Sequence, residues 1–247
     1  MRNLQNKFEL NLFLLFLSAC LFLLISAFQF PVVSFFRTKL TYDILTNEKF
    51  KLIVDGFSLS LIAAYIFYVF SNLIPEIKKK RSIKNVLNTL VASVLDSYKR
   101  ERIFGHETAI SHIDTSCLSR KWIEGEIVKN KERKSGLLSL KFSLETAHSR
   151  IHDFRNVLPL AVNLSPDHAF DWLVIIDKVR LLVDEYEMLI SAFKEIEKEF
   201  QDREDFIALR KSEYFEETIN SYRFRFLEFL EVALNWIEKD DFYKLPP

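Results

Sequence analysis

Only four glycines occur in the 247 residues, too few for the tight turns of a hairpin-rich β protein. No segment alternates apolar and polar residues over a useful length, so strands are not expected. The two cysteines, Cys20 and Cys117, lie one inside an apolar run and one far beyond it. They have no reason to pair, which suits a reducing compartment for the later part of the chain. There is no Cys-x-x-Cys pair, no Walker-type Gly-Lys-Ser loop and no nucleophile elbow. The chain is therefore not expected to be an enzyme, and no catalytic, cofactor-binding or metal-binding residue is assigned to it.

Charge is missing from two long stretches. Leu10 to Phe36 is 27 residues without one charged side chain, and Gly56 to Pro75 is another 20. Twenty helical residues cover about 30 Å, the hydrocarbon thickness of a bilayer. A charge at the centre of such a span costs about 2.5 to 3.5 kcal/mol, so both stretches read as transmembrane helices, at about 10–33 and 56–75. The first is too long for a cleaved secretory signal. Leu17-Ser18-Ala19-Cys20 has the form of a lipobox, but Leu21-Phe22-Leu23 follow where a mature lipoprotein turns polar. Cys20 reads as an ordinary apolar membrane residue.

Orientation follows from Lys and Arg. Arg2, Lys7, Lys78, Lys79, Lys80, Arg81 and Lys84 flank the outer ends of the spans, against Arg37, Lys39, Lys49 and Lys51 between them. Seven against four places both termini in the cytoplasm of a bacterial cell, as a multi-pass inner-membrane protein. The zero net charge hides an asymmetry: residues 1–81 hold ten basic and five acidic side chains, residues 167–247 eleven and twenty. A basic collar beside the membrane is attracted to anionic headgroups. The acidic distal portion makes direct nucleic-acid binding unexpected.

Beyond residue 81 the pattern is helical. Ile83, Val86, Leu87, Leu90, Val91, Val94, Leu95 and Tyr98 form one apolar stripe. Neither Gly nor Pro falls between Arg81 and Arg102, so the second span is expected to run on as a rigid stem over 78–103. Phe104 to Ser116 reads as a loop. Helical patterns resume over Leu118–Lys134 and Leu137–Leu160. Ser165-Pro166-Asp167 is a helix start, with a Ser cap, Pro at the first position and an acid in the first turn. The last helix carries Phe215, Ile219, Tyr222, Phe226, Phe229, Ala233 and Trp236 at steps of four and three, with Ser212 and Glu213 near its start. The expected fold is all-α: a transmembrane hairpin in residues 1–81, then a cytoplasmic antiparallel helical bundle in residues 82–247.

Glu145, His148, His152 and Asp153 are the densest chemical constellation. Positions 145, 148 and 152 share a helix face, where a carboxylate and two imidazoles can converge on a metal. His152-Asp153 resembles the dipeptide of HD-type phosphohydrolases, which would recruit His112 and Asp177, although the small residues usual after it are missing. His152-Asp153-Phe154-Arg155-Asn156-Val157-Leu158-Pro159-Leu160 resembles the phosphoacceptor box of sensor histidine kinases, with Pro one residue late. Residues 167–247 contain no glycine and cannot build Gly-rich nucleotide boxes, so autokinase activity is excluded. The blander reading, a solvated helix face, stands beside these, and the roles of His148, His152 and Asp153 stay open. In the second span Tyr65, Tyr68, Ser71 and Asn72 can line a pore or a helix contact, or anchor the helix at the interface.

The segment Asp55-Gly56-Phe57-Ser58-Leu59-Ser60, through Tyr65-Ile66-Phe67-Tyr68 to Ile74-Pro75-Glu76-Ile77-Lys78-Lys79-Lys80-Arg81, resembles a diverse group of small bacterial two-span proteins. In that group the second helix ends in a Pro-Glu-basic cluster before a cytoplasmic helical domain. Val157-Leu158-Pro159 and Leu164-Ser165-Pro166-Asp167 are similar to its second recurring stretch, a short turn between helices. Members are found as membrane effectors of antiphage systems, some retrons included. The resemblance implies a toxin-like effector, held inactive by a regulatory protein or nucleoprotein partner, that damages the inner membrane as a homo-oligomer. A sensor or scaffold without toxicity fits the same architecture. The lipid bilayer is the one partner that the residues alone require.

Overall fold

The computed structural model describes residues 2–28, 48–101, 108–199 and 213–241. Among them the regular elements are all helical. The chain divides into two compact units, residues 1–79 and 80–247.

The first unit holds α1 (Arg2–Phe28) and α2 (Glu48–Tyr68). The end of the first expected span, at 29–33, and the expected connection up to residue 47 lie outside the described residues. Where α1 and α2 meet, Ala19 and Ser58 are buried, small side chains that let two backbones approach. Tyr65 stacks on Phe16 at 4.5 Å and meets Phe13 at 6.5 Å. Of the roles open to Tyr65, the contact between helices is the one observed. Hydroxyls in these apolar helices bond back to the preceding turn, Ser18 to the Leu15 carbonyl and Ser60 to that of Gly56, both at 2.8 Å. The remaining faces are bare hydrocarbon, from Leu14 and Leu21 to Phe57 and Phe67.

A π-turn, Val69–Leu73, follows α2 and leads into α3 (Ile74–Arg100). Pro75 explains it. A proline has no N–H, and its ring crowds the carbonyl four residues back, here Ser71. The backbone opens by one residue instead of breaking, and the Ile74 N–H reaches the Val69 carbonyl. Among the described residues one helix, Leu52–Arg100, is long and apolar enough to cross a membrane; the apolar part described in α1, Glu9–Leu24, is shorter.

In the second unit α3 is the central element. Every residue from Val91 to Tyr98 is buried, as in a helix enclosed on all sides. Its polar residues are there because they are satisfied. Ser93 donates to the Leu90 carbonyl at 2.6 Å, Ser97 to that of Ser93 at 2.9 Å, and Thr146 to the Ser97 hydroxyl at 2.8 Å. Asp96 pairs with Arg100. Around this core lie α4 (Arg120–Lys131), α5 (Leu137–Asn156), α6 (Leu158–Leu164), α7 (Pro166–Glu199) and α8 (Glu213–Asp241). Tyr98 stacks on Phe226 at 4.3 Å, while Trp236 donates to Asn88 at 2.8 Å, so α8 runs opposite to α3. Trp172–Trp236 at 5.3 Å and Lys178–Glu228 at 2.8 Å set α7 opposite to α8. Phe154–Trp172 and His148–Tyr186 set α5 opposite to α7.

The single helix expected over Leu137–Leu160 is two, parted at Val157. Pro159 lacks the N–H that would have bonded the Arg155 carbonyl, and the chain turns before it. The expected start at Ser165 is observed: its hydroxyl accepts from the His168 N–H at 3.2 Å and caps α7. The expected loop contains two short helical turns, Ile110–His112 and Thr115–Leu118. Asp114 caps the second, and Lys99 donates to both Asp114 and Ser116. Ser212 lies outside the described residues.

Candidate functional site

Helix α5 has two faces. Leu140, Leu144, Ala147, Ile151 and Phe154 are buried on the inner one, at the spacing of an amphipathic helix. The outer face carries the histidines and acids singled out by the sequence, and the structure does not gather them. Glu145 turns toward the Tyr186 ring system; burial, then its charge, raises the Tyr186 phenol above the ordinary value. His148 lies 5.0 Å from the Tyr186 ring, with Nε2 3.8 Å from Glu187. His152 and Asp153 are exposed. His112 sits on the turn Ile110–His112, and Asp177 pairs with Arg180 at 3.0 Å. Among the described residues no three His, Cys, Asp or Glu side chains come together in a way that could hold a metal ion. The convergence of Glu145, His148 and His152 on a metal is therefore not observed. Sharing a helix face puts side chains in one direction, but here Glu145 and His148 turn to Tyr186 and Glu187 while His152 stays exposed. The phosphoacceptor-like run His152–Leu160 crosses the break at Val157.

What α5 does form, with α7, is an open groove of about 500 Å³. Ile151 and Val183 supply its apolar floor, and His148, His152, Arg155, Arg180, Asp184 and Glu187 stand around it. Arg180 is held by Asp177 and Asp184, at 3.0 and 3.8 Å. Arg180, Asp184 and Glu187 were not singled out from the sequence, and Arg155 only as a member of the phosphoacceptor-like run. Their spacing, 148–152–155 on one helix and 180–184–187 on another, is a helical stripe, but nothing in either stripe says that the two face each other.

Deeper in the second unit polar groups are committed to structure. The Tyr98 hydroxyl donates to Glu126 at 3.2 Å and accepts from Asn130 at 3.3 Å; Lys129 completes the cluster at 2.6 Å from Glu126. Burial raises the Tyr98 phenol well above its usual range. Lys84 lies over the Trp236 ring at 3.9 Å, a cation–π contact. Arg150 donates to the Thr108 carbonyl at 2.8 Å, and burial lowers the pKa of its guanidinium. Cys117 is fully buried, and burial pushes its thiol up to about 12.

The second candidate is the apolar surface of residues 52–73. Ile53, Phe57, Leu59, Phe67 and Phe70 are each at least 58% exposed, far more bare hydrocarbon than a water-facing helix carries. Ser71 and Asn72 fall within the π-turn and are exposed. Lys78, Lys79 and Arg81 follow within two turns, also exposed. No protein-family model, curated protein or solved structure significantly matches this chain.

Proposed function

We propose that this chain is a membrane-anchored effector of bacterial antiphage defence. In this reading a two-span transmembrane hairpin is followed by a cytoplasmic antiparallel helical bundle, with both termini on the cytoplasmic side. One observation carries the reading: helix Leu52–Arg100 is bare hydrocarbon over its first half, and its last residues are the enclosed core of the helical unit. A partner that repacks the helical unit acts directly on a helix that continues into the span. The likeness of Asp55–Arg81 to two-span effector proteins supplies the defence context. A regulatory protein or nucleoprotein holds the helical unit in its resting state, and release damages the inner membrane. Two spans enclose no water-filled path by themselves, so damage requires a homo-oligomer. No enzymatic step is invoked.

Expression of the full chain without its partner is expected to slow growth and admit a membrane-impermeant dye. Ile66→Asp is expected to abolish both effects. Ile66 is 47% exposed, and the substitution sets a charge in hydrocarbon at a cost of about 2.5 to 3.5 kcal/mol. Dye exclusion by cells making the intact, inserted chain would contradict the effector reading and favour a non-toxic membrane sensor or scaffold.

A further inference from the structure

The groove between α5 and α7 has a polarity that neither helix shows alone. The helices run in opposite directions, and His148 meets Glu187 at 3.8 Å. Seven residues along each helix from that contact, in opposite directions, bring Arg155 level with Arg180. His152 stands level with Val183, and Ile151 with Asp184. Over about 10 Å the groove thus carries Arg155 and Arg180 at one end, an apolar floor with Asp184 drawn to Arg180, and Glu187 beside His148 at the other.

The basic end has capacity to spare. Arg155 is exposed and has no ion-pair or hydrogen-bond partner among the described residues, and the same holds for the His152 ring. Asp177 and Asp184 hold Arg180 in place but engage only part of its five-donor fork. Guanidinium groups from two helices, with an imidazole about one turn away along α5, offer the directed N–H donors that a phosphate accepts. A bare anion does not use the other end. Glu187 is an acceptor, suited to hydroxyl or amino groups on the same molecule, while Ile151 and Val183 present an apolar floor between. About 500 Å³ lies within the range of small-ligand sites.

We propose that the α5–α7 groove binds a phosphate monoester of mononucleotide size. Arg155, Arg180 and His152 hold the phosphate, and Glu187 accepts from the polar groups at the far end. The proposal does not depend on the effector reading, because it concerns the second unit alone and is read by binding, not by toxicity.

The test is calorimetric titration of the full chain in dodecyl maltoside micelles with adenosine 5′-monophosphate, adenosine and inorganic phosphate. The monophosphate is expected to bind, adenosine not measurably, and inorganic phosphate more weakly than the monophosphate. Arg155→Gln removes one charged donor and is expected to weaken monophosphate binding about tenfold or more, with circular dichroism and melting unchanged. A second arm places the chain in phosphatidylcholine nanodiscs with and without phosphatidic acid. Loss of monophosphate affinity with phosphatidic acid present, and not with an equal charge of phosphatidylglycerol, assigns the phosphate to a lipid headgroup. No binding of either phosphate monoester, or binding indifferent to Arg155→Gln, would overturn the proposal.

Discussion

Cys117 shows how a buried group reports on the fold. Its Sγ donates to the Asp114 carbonyl at 2.9 Å and lies 3.6 Å from that of Ala92, so the thiol closes the loop onto α3. Burial raises its pKa from 9.0 to about 12, and the charges of Asp96 and Asp114 add to the rise. The folded state keeps the proton where the unfolded chain loses it. The contribution to stability is therefore complete below about pH 9 and is lost as pH rises toward 12. Urea midpoints taken at intervals across that window should fall more steeply for the natural chain than for Cys117→Ala. Equal slopes would show that the thiol titrates normally. At pH 8 the native thiol should also resist alkylation until urea unfolds the chain. None of this is legible in the sequence, where Cys117 is one small residue in a loop. The reverse holds for Ser165, whose role as a cap is written in Ser-Pro-Asp and reappears as a single hydrogen bond.

At the scale of elements, the apolar stripe Ile83–Tyr98 announces a helix but shows only one of its faces. Ser93, Asp96 and Ser97 lie off that stripe, yet all three are buried. They are matched by the Leu90 carbonyl and Arg100 on the same helix and by Thr146 on α5, and periodicity does not encode the identity of that last, distant partner. The pattern likewise found α5 but ran through Val157, because a break of one residue scarcely interrupts a helical stripe. The central position of α3 decides where coupling can be probed. Leu90 is 4% exposed, so Leu90→Pro combines core disruption with the loss of a helix hydrogen bond. It should unfold the second unit, not merely detach it. Lys79 is exposed, and Lys79→Pro kinks the helix there at a cost of about 3 kcal/mol or more. The second unit should stay folded in Lys79→Pro, with its tryptophan emission and urea midpoint near those of the natural chain, while dye entry is lost. Persistent dye entry in that variant would show that helical continuity plays no part.

For the whole molecule, two kinds of surface coexist on one chain. Residues 52–73 expose phenylalanine, leucine and isoleucine, whereas the second unit turns ion pairs such as Arg120–Glu238 and Lys131–Glu231 outward. The charge-free runs made that division legible from the start. The groove was not, because it needs two helices in register across 32 residues of sequence, from His148 to Arg180. In the proposed reading a bilayer is the solvent that reconciles the two surfaces, and thiol accessibility along the chain tests it directly. In a chain whose two natural cysteines are replaced by alanine, single cysteines are placed at Asn47, Phe57, Phe67 and Lys79. In intact spheroplasts a membrane-impermeant maleimide should label Asn47→Cys at once and Lys79→Cys only after permeabilisation. It should leave Phe57→Cys and Phe67→Cys unlabelled in both conditions. Rapid labelling of the two phenylalanine positions in the folded protein, or labelling of Asn47→Cys and Lys79→Cys from the same side, would contradict the account.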